Sequence, residues 1–330
     1  MSSLKIISVD TIWAEIKKAY NPIFLEKLIE IPKAKVYAFG GIVTDPLLGK
    51  SWKDLDVRVI LDILPDERDR AVSAVLEKYT DIIQRFTFTD GTVFRVKVLD
   101  GKDMIIDVGA ANNFEKFRAD FRASAIFVDL KTGEVVELGE SCVNDFQNGI
   151  IRTLDEPNAQ LEFEPRIMFR ALKFAAKTGF SIDTELERIL KQKKALIKDA
   201  LNETLSHLQQ YGKDSIAEYY LGNIFGGFKA DAAVYVDLLY KYGFLKEMCL
   251  SLQQLCGEHK NVVVENNAEE FKKLTAFEDK LSLFLSAIAK SISTNPAACF
   301  EFLKKALALD TDRSDGNEFA VDPTKIVFVP

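Results

Sequence analysis

Residues Val36 to Ile60 read VYAFGGIVTDPLLGKSWKDLDVRVI. Val36-Tyr37-Ala38-Phe39 is an apolar run whose β-branched and aromatic side chains suit a pleated surface, so it reads as a buried strand. Gly40-Gly41 stops it at a point where backbone can turn sharply or approach a ligand with no Cβ in the way. An amphipathic stretch, Ile42 to Leu48, leads through Gly49 and a polar turn to a second strand, Leu55 to Leu61. Asp54 precedes that strand and Asp56 lies in it. Residues two apart on a strand share a face, so the two carboxylates stand side by side. Like charges held that close ask for a hard divalent cation such as Mg2+, which takes oxygen ligands and bridges them to substrate phosphates.

The rest of the composition narrows the class. A chain of 330 residues has room for two or three units with sizeable cores. At 48% hydrophobic and 28% charged it is globular, not disordered. Cys142, Cys249, Cys256 and Cys299 show no C-x-x-C spacing, which argues against a zinc site or a disulfide framework and for reduced thiols. His207 and His259 stand alone in sequence and read as ordinary residues, not ligands. No basic-flanked apolar leader and no membrane-length apolar run is present, so no membrane partner is expected and the location reads as cytoplasmic. The net charge of −7 opposes an extended basic surface, and Lys191-Gln192-Lys193-Lys194 is the one cationic block. Contact with nucleic acid is therefore expected from a local patch.

Along the chain, residues 1–35 read as mostly helical, with Ile12, Trp13, Ile16, Phe24, Leu25, Leu28 and Ile29 at helical spacings. Pro65 opens a helix over Asp66–Tyr79, with Ala71, Val75 and Leu76 as its buried face. Phe86 to Val98 alternates like a strand, interrupted by the hairpin cue Asp90-Gly91. After the turn Asp100-Gly101-Lys102, Met104 to Val108 reads as another strand and carries Asp107. Ile126 to Leu138 reads as a hairpin around Lys131-Thr132-Gly133. From Glu164-Pro165 onward the pattern is helical: one helix ends at Gly179-Phe180, and the next is capped by Ser181-Ile182-Asp183 and runs from Thr184 to Leu201. Gly222, Gly226 and Gly227 punctuate the following segment, amphipathic helices such as 271–274 and 281–290 follow, and Lys325 to Val329 reads as a terminal strand.

The segment quoted first resembles the active-site motif of the class II RNA nucleotidyltransferases, the tRNA CCA-adding enzymes and bacterial poly(A) polymerases. That motif runs strand, G-G-x-V-R-D, L-L-G, then D-x-D. Gly40, Gly41, Val43, Asp45, Leu47, Leu48, Gly49, Asp54 and Asp56 match it, and Thr44 stands where the motif has arginine. Gly91-Thr92 matches a "GT" after which the family often carries a further carboxylate, here Asp107. Arg118 to Ala125 resembles R-R-D-F-T-x-N-A, keeping Arg118, Asp120, Phe121 and Ala125, with Ala119, Arg122 and Ser124 as departures. In the family those residues help hold the ribose and triphosphate. Asp145, Phe146, Gly149, Ile151 and Arg152 continue the likeness. Glu164 to Phe180 resembles E-D-P-x-R-x-x-R-x-x-R-F-A-A-x-x-G-F, whose Asp and Arg read the incoming base. Here Phe163, Glu164 and Ile167 stand for its Glu, Asp and Arg, Arg170 is kept, and Lys173 replaces the last arginine. Isoleucine offers no hydrogen bond to a base, and Arg166, one residue early, is turned by about 100° around the helix. Gly212 to Leu245 resembles a later helix of the family without its Glu-Arg pair.

The resemblance implies an α+β protein: an N-terminal, polymerase-β-like nucleotidyltransferase domain of mixed sheet and helices over 1–150, a helical neck over 151–215 that contacts nucleotide and RNA, and a helical body and tail over 216–330. It implies transfer of NMP from CTP or ATP to an RNA 3′-hydroxyl, most simply the tRNA 3′ end. Asp54 and Asp56 would be catalytic and hold two Mg2+ ions, with Asp107 as a third acidic group at the metal. Gly40, Gly41, Asp45, Arg118, Asp120, Glu164, Arg170 and Lys173 would bind nucleotide. The eroded second and third motifs leave two further readings: a poly(A)-type polymerase, and a weakly active or non-catalytic nucleotide- or RNA-binding module.

Overall fold

The structure is a computed structural model that describes residues 8–306, apart from 20, 53–54, 89–90, 100–104, 115–118, 212–214 and 257–261. Asp54, Arg118, the turn at 100–102, His259 and the strand read at 325–329 lie outside the described residues. The chain divides into two compact units, 1–154 and 155–330.

The first unit is built on a sheet in the order β3-β4-β5-β2-β1-β6-β7, comprising β1 (Lys35–Phe39), β2 (Asp56–Ile60), β3 (Thr80–Phe88), β4 (Gly91–Val98), β5 (Ile105–Ala111), β6 (Ile126–Asp129) and β7 (Val135–Glu137). β2 and β5 run parallel, while β1 pairs antiparallel with both β2 and β6. Strand alternation gives the sheet two unlike faces. Val36, Ala38, Val57, Val59, Phe94, Val96, Ile106 and Val108 are fully buried on one face. Helices α2 (Ile23–Ile29), against β1, and α4 (Pro65–Tyr79), against β3, β4 and β5, cover that side. Phe24, Leu25 and Leu28 of α2 and Val72 and Leu76 of α4 lose all exposure there, each contributing roughly 1.5–3 kcal/mol. The other face stays half open along β2 and β4 and carries the polar residues.

Two expectations are corrected here. The buried stripe of α4 is Arg68, Asp69, Val72 and Leu76, while Ala71 and Val75 flank it half-buried. Arg68 and Asp69 can be buried because each meets its partners: Arg68 donates to Asp69 Oδ1 at 2.8 and 2.7 Å and to Asn112 Oδ1 at 2.5 Å. Asp69 Oδ2 accepts from Arg85 at 3.0 Å and from Thr92 at 2.5 Å. A count of apolar spacings cannot see a charged pair satisfied across two strands. The strand read from Phe86 in fact begins at Thr80, directly at the end of α4, where Thr80 Oγ1 donates to the Leu76 carbonyl at 2.7 Å.

The second unit is helical: α6 (Pro157–Phe163), α7 (Ile167–Thr178), α8 (Thr184–Gln192), α9 (Ala195–Tyr211), α10 (Ser215–Phe225), α11 (Gly227–Lys241), α12 (Phe244–Cys256), α13 (Ala268–Phe271), α14 (Phe277–Ile292) and α15 (Pro296–Ala306). Helix α7 starts at Ile167, not at Glu164, and ends at Gly179, whose φ of +78° is a left-handed cap. Asp183 caps α8 by accepting from Glu185 N at 3.1 Å. The single helix expected over 184–201 is two, broken after Lys193, and α9 continues to Tyr211. The core is aromatic. Phe228 lies 4.9 Å from Phe284 and 5.4 Å from Tyr235, ring to ring. The Tyr235 ring rests on the Cα of Gly227, where any side chain would overlap it, and its hydroxyl donates to the Ile224 carbonyl at 2.6 Å. Cys142, Cys249 and Cys299 are buried, and burial pushes the Cys249 thiol up to about 12.

Candidate active site

The β1–β2 turn opens with Gly40 at φ +70°, ψ −141°, a conformation kept for glycine. A Cβ on Gly40 would lie 2.7 Å from Asp56 Oδ2, so the Asp56 carboxylate faces bare backbone. Gly41 begins a single helical turn, α3 (Gly41–Thr44), closed by Asp45 N donating to the Gly41 carbonyl at 2.8 Å. Thr44 turns inward, 5% exposed, and donates to the Gly40 carbonyl at 3.0 Å. Asp45 is 3% exposed, and its carbonyl accepts from Leu48 N and Lys50 N at 3.0 and 2.9 Å. Asp45 therefore sits beneath the turn, not on the open face.

Across the sheet, Asp56 pairs in register with Asp107 on β5 and with Phe39 on β1. Asp107 stands on an interior strand, flanked by β2 and β4, with its side chain about one-third exposed. Arg95 on β4, its register neighbour, grips it with Nε and Nη2 at 2.9 and 3.0 Å. On the β6 side Phe39 stacks on Phe127 at 5.0 Å, and Phe114 meets Phe127 edge-on at 5.3 Å. One half of the open face is thus aromatic and the other carries alternating charge. Asp120 lies in a bend where its carbonyl accepts from Leu154 N at 3.1 Å, beside the Phe121–Thr153 bridge.

In the second unit, Glu164 holds Arg166 at 2.8 and 2.9 Å. Arg166 is 3% exposed, donates to Glu203 at 2.9 Å, and has its Cζ 3.5 Å from the centroid of Tyr220. Burial opposes its charge, but the hydrogen bonds and charges of Glu164 and Glu203 outweigh that, so the guanidinium is held more firmly protonated than usual. His207 packs its ring 5.5 Å from Tyr220. Ile167 is buried in the core. Arg170 donates to the Tyr219 hydroxyl at 2.5 Å, and the Lys173 amine lies against Gly226, 2.9 Å from where a Cβ would stand. Arg170 and Lys173 thus share one side of α7 along α10.

No protein-family model matches the chain. It is 25% identical over 198 residues to the CCA-adding enzyme of Ligilactobacillus salivarius, covering 58% of this chain and 47% of that one. To the CCA-adding enzyme of Lactiplantibacillus plantarum it is 27% identical over 189 residues, covering 54% and 45%. In sequence the chain is similar to CCA-adding enzymes. It spans about half the length of these relatives. Its fold is similar to that of the Thermotoga maritima CCA-adding enzyme solved with tRNA, with a TM-score of 0.59 at 15% identity over 91% of this chain and 70% of that one. The Bacillus stearothermophilus CCA-adding enzyme solved with CTP gives 0.56 at 18% identity over 86% and 66%. These likenesses carry the α+β nucleotidyltransferase fold, a mixed sheet followed by a helical region.

Two features of the carboxylate face were not read from the sequence. Arg58, two residues after Asp56, and Arg95 stand among the carboxylates. The strand alternation of DVRVI would have placed Arg58 beside Asp56. Nothing local could have paired Arg95 with Asp107, because that pairing depends on the β4–β5 register. Among the described residues no group of three or more His, Cys, Asp or Glu is placed to hold a metal ion.

Proposed function

We propose that this protein is a metal-dependent RNA nucleotidyltransferase that adds nucleotides from CTP and ATP to an RNA 3′ end, most simply that of tRNA. The observation that carries this reading is the Asp56 carboxylate, set on the half-open face against the bare backbone of Gly40. Its hard oxygens suit magnesium, and Asp54, two residues earlier in sequence, supplies the partner carboxylate. Asp54 and Asp56 would hold the metal. When bound, it lowers the pKa of the attacking 3′-hydroxyl and neutralises charge on the triphosphate.

The reaction is an in-line displacement: the RNA 3′-oxygen bonds to the α-phosphorus, the bond from that phosphorus to the bridging oxygen breaks, and pyrophosphate leaves. Gly40 and Gly41 leave room for the triphosphate beside Asp56. Asp45, buried beneath the turn, keeps the loop in shape. Arg118 and Asp120 hold ribose and phosphate as the second motif suggests. Arg170 and Lys173 present a basic ridge to phosphates. Glu164 holds Arg166, and Ile167 offers no donor, so base selection is weaker than in relatives with the complete motif. The CCA-adding relatives support this substrate class, and a cytoplasmic location belongs to the same proposal.

A second reading, a nucleotide- or RNA-binding module without transfer, is favoured by Arg58 and Arg95 standing among the carboxylates. The deciding experiment offers labelled CTP and ATP, separately, to tRNA transcripts ending before C, before A, and complete, with magnesium present or chelated. Ordered, metal-dependent extension supports CCA-type addition. Untemplated runs of A indicate a poly(A)-type polymerase, and nucleotide binding without incorporation on any acceptor overturns the enzyme reading.

A further inference from the structure

Arg58 lies on the same face of β2 as Asp56, and in the parallel register it stands opposite Gly109 as Asp56 stands opposite Asp107. A Cβ on Gly109 would lie 2.6 Å from Arg58 Nη1 and 2.9 Å from its Cδ. The arginine therefore lies across β5 where no side chain stands up. The Phe39 ring backs it, with Cζ 4.3 Å from the centroid, and Nη1 donates to the Val57 carbonyl at 3.2 Å. Burial lowers its pKa, and the opposite charges of Asp56 and Asp107 work against that burial to keep it protonated. Arg95 meets both oxygens of Asp107 at 2.9 and 3.0 Å. Asp56 and Asp107 are thereby balanced by Arg58 and Arg95 before any metal ion arrives.

We propose that Arg58 is a resident cation of the carboxylate face, and that Asp107 is an ion-paired strut, not a ligand to the divalent ion. The inference rests on the proposed function, which puts that ion at Asp54 and Asp56. A bidentate arginine fork engages both Asp107 oxygens and offsets the negative charge that would draw an ion to them. Arg58 repels a cation approaching from the β5 side, since its stacking on Phe39 and the space over Gly109 hold it in place. The ion is left to the β2 side. Arg58 is then a positioning residue that sets where, and how tightly, the ion sits.

The test titrates Mn2+ into the full, nucleotide-free chain and follows the free ion by electron paramagnetic resonance, with thermal melting of each variant. Asp56→Asn should weaken Mn2+ binding by at least about tenfold, Asp107→Asn should leave it within about twofold while lowering Tm, and Arg58→Met should tighten it about tenfold. Arg95→Met, which frees Asp107 without removing it, should also tighten binding, and it serves if Asp107→Asn does not fold. Loss in Asp107→Asn as large as in Asp56→Asn would make Asp107 a ligand and overturn the strut. Unchanged or weaker binding in Arg58→Met overturns the resident cation. A wild-type chain whose weak Mn2+ binding is the same in Asp56→Asn overturns the metal reading underneath, a result separate from both.

Discussion

Gly40 and Asp56 meet across the β1–β2 pair so closely that one added methyl on Gly40 would sit 2.7 Å from the Asp56 carboxylate oxygen. The backbone there, at φ +70°, already excludes other residues. Gly40→Ala should therefore cost about 1–3 kcal/mol of stability and displace Asp56. Melting and nucleotide transfer measured together check this. A variant with wild-type Tm and wild-type transfer would remove the turn from the site.

If Asp54 and Asp56 hold the metal, replacing both by alanine should abolish transfer, a fall of at least about a thousandfold. Melting should shift by only a few degrees, because Asp56 is half-exposed on the open face and not in the core. Transfer that survives in the double variant would refute the assignment.

On the opposite face, the buried group of Arg68, Asp69, Thr92 and Asn112 ties α4 to the sheet. Removing Asp69 leaves Arg68 charged and buried, so Asp69→Ala should destabilise by about 3–5 kcal/mol. The same carboxylate gives a pH dependence. Burial disfavours its charge, but hydrogen bonds from Thr92, Arg68 and Arg85 outweigh this and hold its pKa below the ordinary 3.8. A lowered folded-state pKa means its contribution is complete above pH 3.8 and is lost as the pH falls below that value. Urea melts between pH 7 and pH 3 should show stability declining below about pH 4 in the wild type, and less steeply in Asp69→Asn.

Arg170 and Lys173, if they meet phosphates, should each contribute to the salt dependence of RNA binding. Arg170→Ala and Lys173→Ala should each reduce the slope of log K against log salt by about 0.7–0.9. An unchanged slope, with weaker binding or not, would return both residues to a purely structural role between α7 and α10.

The sequence by itself determined the strand, double-glycine turn and second strand of the first motif, because those depend on side-chain propensity, glycine freedom and two-residue alternation within a short span. The Pro65 start of α4, the Gly179 end of α7 and the Asp183 cap of α8 were legible for the same reason, as was the helical character after Glu164. What only the tertiary structure decided are the pairings between distant residues. Strand register put Arg95 on Asp107 and Arg58 over Gly109, and packing of α4 on the sheet buried Arg68 with Asp69 in place of Ala71 and Val75. A helix begun at Ile167 placed Arg166 between Glu164 and Glu203 and closed it over Tyr220. In each case a charged side chain reads as solvent-facing until its partner is known. The partner lies 12 residues away for Arg95 and Asp107, and 37 for Arg166 and Glu203. Local pattern carries propensity; the compensation of buried charge is a property of the folded chain alone.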